Sequence, residues 1–394
     1  MGRVFSPLDE TLELTPSHFS PFLMEGMVRL GTCLPFAQVP AMFHFFTGVQ
    51  VNADTVRRLT EQAGAALVTI ETAEAERIEQ EAPAPPQGPA IQQLSVDGAM
   101  VPVLKGEWVE VRTAAIGTVE QEIDAEGEPG ARSHEVSYFS RYTDAKTFAQ
   151  LAIIATHRRG TETAGTVCSV QDGAGWLQAF CDVHRPDAVR ILDFPHAVEY
   201  LAMAAHAVFG AGTEAATTWL KEQAHDIKHE DAADVLQAIR DLPATTEEAQ
   251  AVQEKVLHYL EERQEQIRYA AFREQGYPIG SGMVESANKL VIEARLKGSG
   301  MHWARSHVSP MAALRSMWCS TTWEEVWPQI AHEVRRQAVA AKLARHQARH
   351  PPVPPPAPAS APLPSDPEPQ RKPILPRHRC MENGKPTKHH PWRR

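Results

Sequence analysis

Apolar side chains recur at helical spacing through the first part of the chain, which predicts helices up to residue 82. Residues 19–46 are rich in Leu, Met, Phe and Ala, and a Gly-containing break follows at residues 47–51. The Ala- and Pro-rich residues 83–92 then lack a periodic pattern, which is typical of a linker. We therefore predict a helical N-terminal region over residues 1–82 that this linker separates from the rest of the chain.

A second helix of this region is predicted to begin at Asn52 or Asp54, because either short side chain can cap the first helical turn. Arg57 and Arg58 follow close behind. A helix, a short turn and a second helix with basic residues near its start form a helix-turn-helix pattern, which is typical of DNA-binding regions. A plain helical bundle has the same pattern, so both interpretations stay open.

Alternating apolar and polar positions replace the helical pattern after the linker and predict strands. Helical segments then alternate with further short strands, which predicts an α/β domain with a mixed sheet. The predicted strands cover residues 93–98, 100–104, 107–119, 134–142, 166–170 and 188–192, and the predicted helices cover residues 144–159 and 175–183.

Helical periodicity returns over the acidic residues 200–275, which predicts an all-α insertion after residues 93–199, the first part of the α/β core. A break that contains Gly and Pro precedes a helix predicted over residues 283–296. Further helices follow, so that residues 276–348 complete the core. The Pro-rich residues 349–394 predict an extended or disordered tail.

The net charge of −10 hides an asymmetry along the chain. Residues 289–394 contain 18 Lys and Arg against 7 Asp and Glu, whereas the preceding residues contain 21 against 42. An acidic body with a basic C-terminal third indicates a polyanionic partner that docks at one end. A basic tail that only improves solubility is the alternative.

Several classes of protein are excluded by what the sequence lacks. No run approaches the roughly 18 consecutive apolar residues of a membrane span, so we expect no membrane association. The first residues lack the apolar run of a signal peptide, which predicts a cytoplasmic protein. The five cysteines show no CxxC spacing, which argues against a disulfide scaffold and a self-contained zinc finger.

Three carboxylates stand where α/β domains place catalysis, after strands or on a helix that faces them. Asp97 and Asp172 each follow a predicted strand and precede a glycine, and Glu285 lies in the first turn of a helix that a Gly-Ser-Gly turn opens. Oxygen ligands without Cys or His suit Mg²⁺ or Mn²⁺, which can promote phosphodiester chemistry. Asp-Gly is also a common turn pair, so each of the two aspartates has a purely structural alternative.

The run GYPIGSGMVESANK at residues 276–289 resembles the signature of bacterial insertion-sequence transposases of the Kra group, relatives of the Mutator-like superfamily. The continuation EARLKGSGMHW at residues 293–303 and the Asp-Gly-Ala triplets at Asp97 and Asp172 share the resemblance, which covers roughly residues 5–345. It implies a DDE transposase with a ribonuclease-H-like core that a helical insertion interrupts. It also implies that Asp97, Asp172 and Glu285 form the catalytic, metal-binding triad.

Asp193 also follows a predicted strand and competes with Asp172 for the place of the second acid. The resemblance puts that acid after the fourth strand of the core, which favours Asp172. Asp193 and His196 instead look like the family's Asp/Cys-x-x-His element after the next strand. His196 has two interpretations: it packs in the core, or it is an accessory residue at the scissile phosphate.

Basic and aromatic residues beside Glu285 are candidates for DNA contact. Lys289, Arg295 and Lys297 are predicted to contact backbone phosphates, with a solvated basic helix face as the alternative. Trp303 is suited either to stack on an unpaired base or to fill the core. We favour the core position for Trp303.

The resemblance implies double-stranded DNA as the partner, a dimer or higher oligomer that holds two element ends together, and no small-molecule substrate. The expected reaction cuts DNA at the element ends and joins the 3′-hydroxyl to a target, without a covalent protein intermediate. A DNA-binding remnant without catalysis and a ribonuclease-H-like nuclease without strand transfer are the alternatives. Members are expected to carry more sequence before the stretch that matches residues 5–9, so we expect a shortened copy or a misassigned start.

Overall fold

The computed structural model describes residues 19–123, 127, 129–349, 381–382 and 385–386. The chain divides into one compact unit up to Lys342 and a second from Leu343 onward, whose described residues include the antiparallel pairing of Met381–Glu382 with Lys385–Pro386. The sequence that resembles the family at residues 5–9, Cys380 and most of the predicted tail lie outside the described residues.

The described residues of the first unit form five strands, and helices pack against them. The strands are β1 (Ile91–Pro102), β2 (Trp108–Ile123), β3 (Pro129–Arg141), β4 (Thr166–Gln171) and β5 (Val189–Leu192). The helices are α1 (Pro21–Cys33), α2 (Val39–Thr47), α3 (Ala53–Glu81), α4 (Ala145–Arg158), α5 (Gly175–His184), α6 (Phe194–Phe209), α7 (Glu214–His229), α8 (Ala232–Arg240), α9 (Glu247–Glu261), α10 (Tyr269–Glu274), α11 (Gly282–Ala287), α12 (Ala294–Leu296), α13 (Arg305–Cys319) and α14 (Trp323–Arg349). A π-helical turn, Asn288–Glu293, joins α11 to α12.

The strands form one mixed sheet in the order β3-β2-β1-β4-β5, which confirms the predicted α/β class. Strands β1, β2 and β3 are antiparallel neighbours, whereas β4 and β5 run parallel to β1. The separate strands predicted over residues 93–98 and 100–104 are one strand, β1, because pairing with β2 continues from Gln92 to Pro102. Asp97 and Gly98 therefore lie inside a strand, and the prediction that Asp97 follows a strand end was wrong.

Buried apolar side chains cover both faces of the sheet. On one face, Leu94 and Ile116 of the sheet pack against Phe148 of α4 and Phe180 of α5. On the other face, Val101 of β1 belongs to a cluster with residues of the π-helical turn and α13. Helices α6 to α10 contribute a third apolar cluster against β4 and β5, so the acidic helical segment packs on the sheet through its apolar side.

The N-terminal helices share their core with helices from the end of the unit. Met27 and Phe43 of α1 and α2 lie in one apolar cluster with Leu67 of α3 and with Leu314 and Ile330 of α13 and α14. The helix predicted over residues 19–46 is two helices, because the residue before Pro35 adopts an extended conformation that ends α1.

Asn52 caps α3, as predicted, by accepting a hydrogen bond from the Thr55 backbone N–H at 2.7 Å. The helix then runs for 29 residues and ends at Glu81, just before the predicted linker.

The outer edge of the sheet at β3 is covered by hydroxyl groups from α13. Ser320 Oγ accepts a hydrogen bond from the Tyr138 N–H at 2.9 Å, and Ser309 Oγ accepts one from the Tyr142 N–H at 3.1 Å. Both hydroxyls also donate to the carbonyl of the same tyrosine. None of the described helices is long and apolar enough to cross a membrane.

Candidate active site at the acidic edge of the sheet

Three aspartates stand level with one another at the carboxyl edge of the parallel strands. The register pairs Leu94 of β1 with Ser169 of β4, so Asp97 and Asp172, each three residues further on, reach the same height in the sheet. Strand β5 pairs with β4 up to its last residue, which brings Asp193 to the same height. The carboxyl ends of parallel strands are the usual place for a ligand site in α/β proteins.

The Asp97 carboxylate accepts hydrogen bonds from two neutral donors. The Gly98 N–H donates to Oδ1 and the Asn288 side-chain amide donates to Oδ2, both at 2.7 Å. Burial raises the pKa of Asp97, and the negative charges of Asp172 and Glu285 raise it further. Asp172 and Glu285 therefore both lie close enough to Asp97 to repel its carboxylate.

Glu285 reaches this edge from the helix that follows the Gly-Ser-Gly turn. Its carboxylate accepts a hydrogen bond from Ser281 Oγ at 3.4 Å, and its side chain is exposed. Asp193 is 4% exposed, and the Ser281 N–H donates to its Oδ1 at 2.6 Å. Ser281 thus joins the loop before α11 to the end of β5.

The roles of Asp172 and Asp193 differ in how much of each carboxylate is occupied. Both oxygens of Asp193 accept backbone hydrogen bonds, because its Oδ2 caps α6 through the His196 N–H at 3.2 Å. Asp172 is exposed and accepts one backbone hydrogen bond, from the Ala174 N–H to Oδ1 at 2.9 Å. This difference favours Asp172 as the acid that receives a ligand and Asp193 as a structural cap.

Side chains from α9 and the turn after it hold the loop that carries Asp172. Tyr259 donates from its hydroxyl to the Asp172 carbonyl at 2.7 Å, and Arg263 donates to the Gly173 carbonyl at 3.2 Å. Gly173 has a φ of +79°, and an added Cβ would lie 2.8 Å from the Arg263 side chain. A glycine is therefore required at this turn both by its backbone conformation and by the close approach of Arg263.

Tyr259 and Arg263 were not predicted from the sequence, because they lie about 90 residues beyond the acid that they hold. Tyr259 stacks on Tyr200 with ring centroids 3.8 Å apart, and the Arg263 guanidinium lies 3.9 Å from the Tyr259 ring. His196 packs edge-on against both tyrosine rings and lies 3.3 Å from Glu199. The helical insertion thus contributes directly to the geometry of the acidic edge, the carboxyl edge of the parallel strands that carries Asp97, Asp172 and Asp193.

The π-helical turn orients Asn288 toward Asp97. A π turn leaves backbone carbonyls without the usual helical partner, and such turns are frequent at functional sites. Arg315, which is 5% exposed, donates to the carbonyls of Leu290 and Val291. The predicted helix over residues 283–296 therefore exists with a π-helical middle that a buried arginine supports.

Two residues predicted to contact DNA are part of the core instead. Arg295 is 1% exposed and donates from Nε and Nη2 to the Gly31 carbonyl at 3.1 and 3.0 Å. Its guanidinium lies over the rings of Phe36 and Trp303, and burial lowers its pKa to about 10. Trp303 is 7% exposed and donates to the Leu296 carbonyl, so the core interpretation is correct for Trp303.

The other predicted DNA contacts keep access to solvent. Lys289 and Arg58 are exposed, and Lys297 pairs with Glu293 at 2.6 Å. Arg57 is exposed as well, and it pairs with Asp54 and Glu61 along the same helix face. Arg57 and Arg58 lie at the start of α3, whereas Lys289 belongs to the π-helical turn.

No group of three or more His, Cys, Asp or Glu side chains within the described ranges is arranged to hold a metal ion. The four described cysteines are free thiols. The acidic edge still offers only oxygen donors, and the Asn288 Oδ1 atom beside Asp97 is buried without a hydrogen-bond partner. Asp172 and Glu285, both exposed, have room to change rotamer.

Comparison with known proteins adds no relative. The sequence matches no protein-family model, and no curated protein is significantly similar to it.

Proposed function

We propose that this chain is a DDE-type transposase that cuts and joins DNA through Asp97, Asp172 and Glu285. The observation that carries the proposal is geometric: the strand register brings Asp97 and Asp172 to the same height in the sheet, and Glu285 lies near enough to Asp97 to help raise its pKa. The sequence signature around Glu285 is the second support. Perturbed titratable groups that converge on one site are a physical indication of function.

The order of elements agrees with a ribonuclease-H-like core that contains a helical insertion. Asp97 lies in the first strand, Asp172 follows the fourth, and helices α6 to α10 separate β5 from the helix that carries Glu285. The resemblance expects the second acid after the fourth strand. The helix-turn-helix role of the N-terminal helices is part of the same proposal and rests on their sequence pattern with exposed Arg57 and Arg58.

The donor set fits Mg²⁺ or Mn²⁺. Hard divalent cations prefer carboxylate and amide oxygens, and Asp97, Asp172 and Glu285 supply only such atoms. The unpartnered Asn288 Oδ1 is a further oxygen beside them. When bound, such cations activate the attacking oxygen and stabilise the leaving oxygen of a phosphodiester.

The residues of the chain have separate tasks in this scheme. Asn288 and the Gly98 N–H fix the orientation of the Asp97 carboxylate. Tyr259 and Arg263 hold the backbone around Asp172. Ser281 ties the helix of Glu285 to β5. Holding catalytic groups in a set geometry before the substrate arrives is the main contribution that a protein makes to phosphoryl transfer.

The test is Mg²⁺- or Mn²⁺-dependent cleavage and joining of the DNA that flanks the gene. The wild type is expected to cleave, Asp172→Asn is expected to lose cleavage while it still binds DNA, and Asp193→Asn is expected to keep cleavage. Asp193→Asn keeps one acceptor oxygen for the cap of α6 but loses the second, which the Ser281 N–H uses, so thermal unfolding must show that this control is folded. Activity lost in Asp193→Asn and kept in Asp172→Asn would overturn the assignment of the second acid.

A DNA-binding protein without catalysis is the second candidate. It is favoured by the finding that the described acidic side chains are not arranged as a group that could hold a metal ion. DNA binding without cleavage by the wild type, in either cation, would establish this alternative. Cleavage without joining of the 3′-hydroxyl would instead indicate a nuclease.

A further inference from the structure

A cleft of about 540 Å³ lies beside α11. It is bounded by β3, the loop before α11, and the ends of α7 and α10. Met283 and Ser286 of α11 line it, whereas Glu285, between them in sequence, projects from another side of the same helix and interacts with Asp97. The cleft and the candidate active site are therefore neighbours on the same short helix.

The lining of the cleft carries positive charge. Of its described lining residues, three are cationic and none is acidic; the three are Arg132, Lys228 and Arg273. Arg273 also contacts the His229 ring at 3.0 Å, and Arg132 lies 3.8 Å from Glu122 outside the lining. Ser286 adds a hydroxyl group, and Tyr277 adds an aromatic ring. Guanidinium, ammonium and hydroxyl groups are the usual partners of phosphate oxygens.

Two glycines in the wall of the cleft have no structural reason to be glycine. Neither Gly280 nor Gly282 has a positive φ, and an added Cβ at either position would meet no atom within 4 Å. Gly173 and Gly276, by contrast, have positive φ values, and an added Cβ at either would be crowded. At such a glycine the backbone is open to close approach by another molecule.

The floor of the cleft is rigid. Gln93 is 2% exposed and donates to the Gly280 carbonyl at 3.1 Å, while its Oε1 accepts a hydrogen bond from Ser133 at 2.6 Å. This amide therefore fixes the glycine loop against β1 and β3. A cleft with a fixed floor, cationic walls and open glycine backbone is shaped for an anionic chain.

We propose that this cleft binds the sugar-phosphate backbone of the DNA segment that adjoins the cleavage point. The inference rests on the proposed function for the identity of the polyanion, and on charge, shape and the two glycines for the site itself. It assigns Lys228 and Arg132 to phosphate contact, neither of which the sequence pattern had indicated.

The first arm of the test removes charge. Binding of a fluorescently labelled duplex of arbitrary sequence is measured by anisotropy over a range of salt concentrations for the full chain. Lys228→Gln is expected to weaken binding about tenfold and to make the slope of log K against log salt shallower by about 0.9. Lys221→Gln, on the same helix but outside the cleft, is the matched control and is expected to bind like the wild type.

The second arm fills the cleft without changing charge. Gly280→Leu is expected to weaken DNA binding about tenfold, and Gly280→Ala is expected to weaken it less. Thermal unfolding followed by circular dichroism is expected to show no loss of stability in Gly280→Ala, because the added Cβ enters open space. Inorganic pyrophosphate is used as a competitor. At low concentration it should block a site for free phosphates but not a site for a DNA backbone.

Several results would overturn the inference. Equal effects of Lys228→Gln and Lys221→Gln would indicate that DNA is attracted by positive charge anywhere on the helix and not by the cleft. Unchanged DNA binding in a folded Gly280→Leu variant would show that DNA does not enter the cleft. Potent competition by pyrophosphate would assign the cleft to a small anion instead. If DNA binding depends on the cleft but the wild type does not cleave DNA, this inference stands and the proposed function is refuted. If the wild type cleaves DNA and its DNA binding does not depend on the cleft, the proposed function stands and this inference is refuted.

Discussion

The helical segment that runs from α11 through the π-helical turn to α12 carries charge at both ends, and the two ends differ in how that charge is accommodated. At the first end, Glu285 lies near Asp97 and Asp172, and the hydrogen-bond donors to these acids are neutral. At the other end, Arg295 is buried against aromatic rings and a backbone carbonyl, with Arg315 close by.

This difference separates a ligand site from a structural one. A buried guanidinium whose hydrogen bonds go to carbonyls and whose faces meet aromatic rings is complete without a further partner. Partly exposed carboxylates that repel one another are relieved when a cation binds. Clustered charge thus indicates function only where the surrounding groups leave it uncompensated.

Replacing Arg295 should have the largest effect on stability. Arg295→Ala removes two hydrogen bonds to the Gly31 carbonyl and leaves a cavity between Phe36 and Trp303, so we expect the free energy of unfolding to fall by about 3 kcal/mol. Urea unfolding measures this change. Arg58→Ala, at an exposed position, is the control and should change stability by less than about 0.5 kcal/mol.

A loss of stability in Arg295→Ala no greater than in Arg58→Ala would contradict the structural role of Arg295. Loss of DNA binding in a variant that keeps its stability would return Arg295 to the group of phosphate contacts.

Replacing Asp97 should have a smaller effect of opposite sign. The pKa of Asp97 is raised in the folded protein, so its ionised form costs free energy of folding at neutral pH. Asp97→Asn removes that cost and should stabilise the fold by about 1 kcal/mol while it abolishes cleavage. The unpaired Oδ1 of Asn288 can accept a hydrogen bond from the new amide after a rotation of the Asn288 side chain.

The gain from Asp97→Asn should depend on pH. It should be full above the raised pKa and fade as the pH falls through that pKa toward the ordinary value of 3.8, because the wild-type carboxyl then becomes neutral too. Thermal unfolding over a series of pH values measures this. Asp54→Asn, at an exposed first-turn position that pairs with Arg57, is the control and should lose stability slightly. A destabilised Asp97→Asn at neutral pH would show that the acids hold the fold together.

Replacing Tyr259 should have the smallest effect on stability. Tyr259→Phe removes the hydrogen bond to the Asp172 carbonyl but keeps the ring stacked on Tyr200, so we expect a loss of about 0.5–1 kcal/mol. Cleavage should fall more than DNA binding, because only the position of Asp172 changes. Equal losses of binding and cleavage would show that Tyr259 contacts DNA itself. Tyr277→Phe, in the cleft, is the comparison for an aromatic hydroxyl away from Asp172.

The class of the fold was predictable because it depends on local periodicity. The strands and helices between residues 107 and 192 follow from alternation and amphipathic spacing. The bounds of β4, β5, α4 and α5 were predicted to within one residue, whereas β2 ends four residues later and β3 begins five residues earlier than predicted. The double strand predicted around Asp97 was wrong because the same pair, Asp-Gly, serves two purposes. At Gly173 it makes a turn with a positive φ, whereas at Gly98 the absent side chain makes room for Glu110.

The candidate acids were predictable from the sequence, Asp172 and Glu285 from their places at element ends and Asp97 from the Asp-Gly-Ala triplet that it shares with Asp172. Tyr259, Arg263, Asn288 and Arg315 act through contacts between distant parts of the chain, which local patterns do not reveal. Arg295 was misassigned for the same reason, since a basic residue on a helix shows in the sequence neither its burial nor the Gly31 carbonyl that it binds.

The serine hydroxyls of α13 on the edge of β3 limit how copies of this chain can associate. An uncovered edge strand invites another strand to extend the sheet, and such growth is open-ended. Ser309 and Ser320 occupy backbone groups of Tyr142 and Tyr138 that an incoming strand would need. Under the proposed function, copies of the chain that bring two DNA ends together would therefore associate through side-chain surfaces rather than by extending the sheet at these positions.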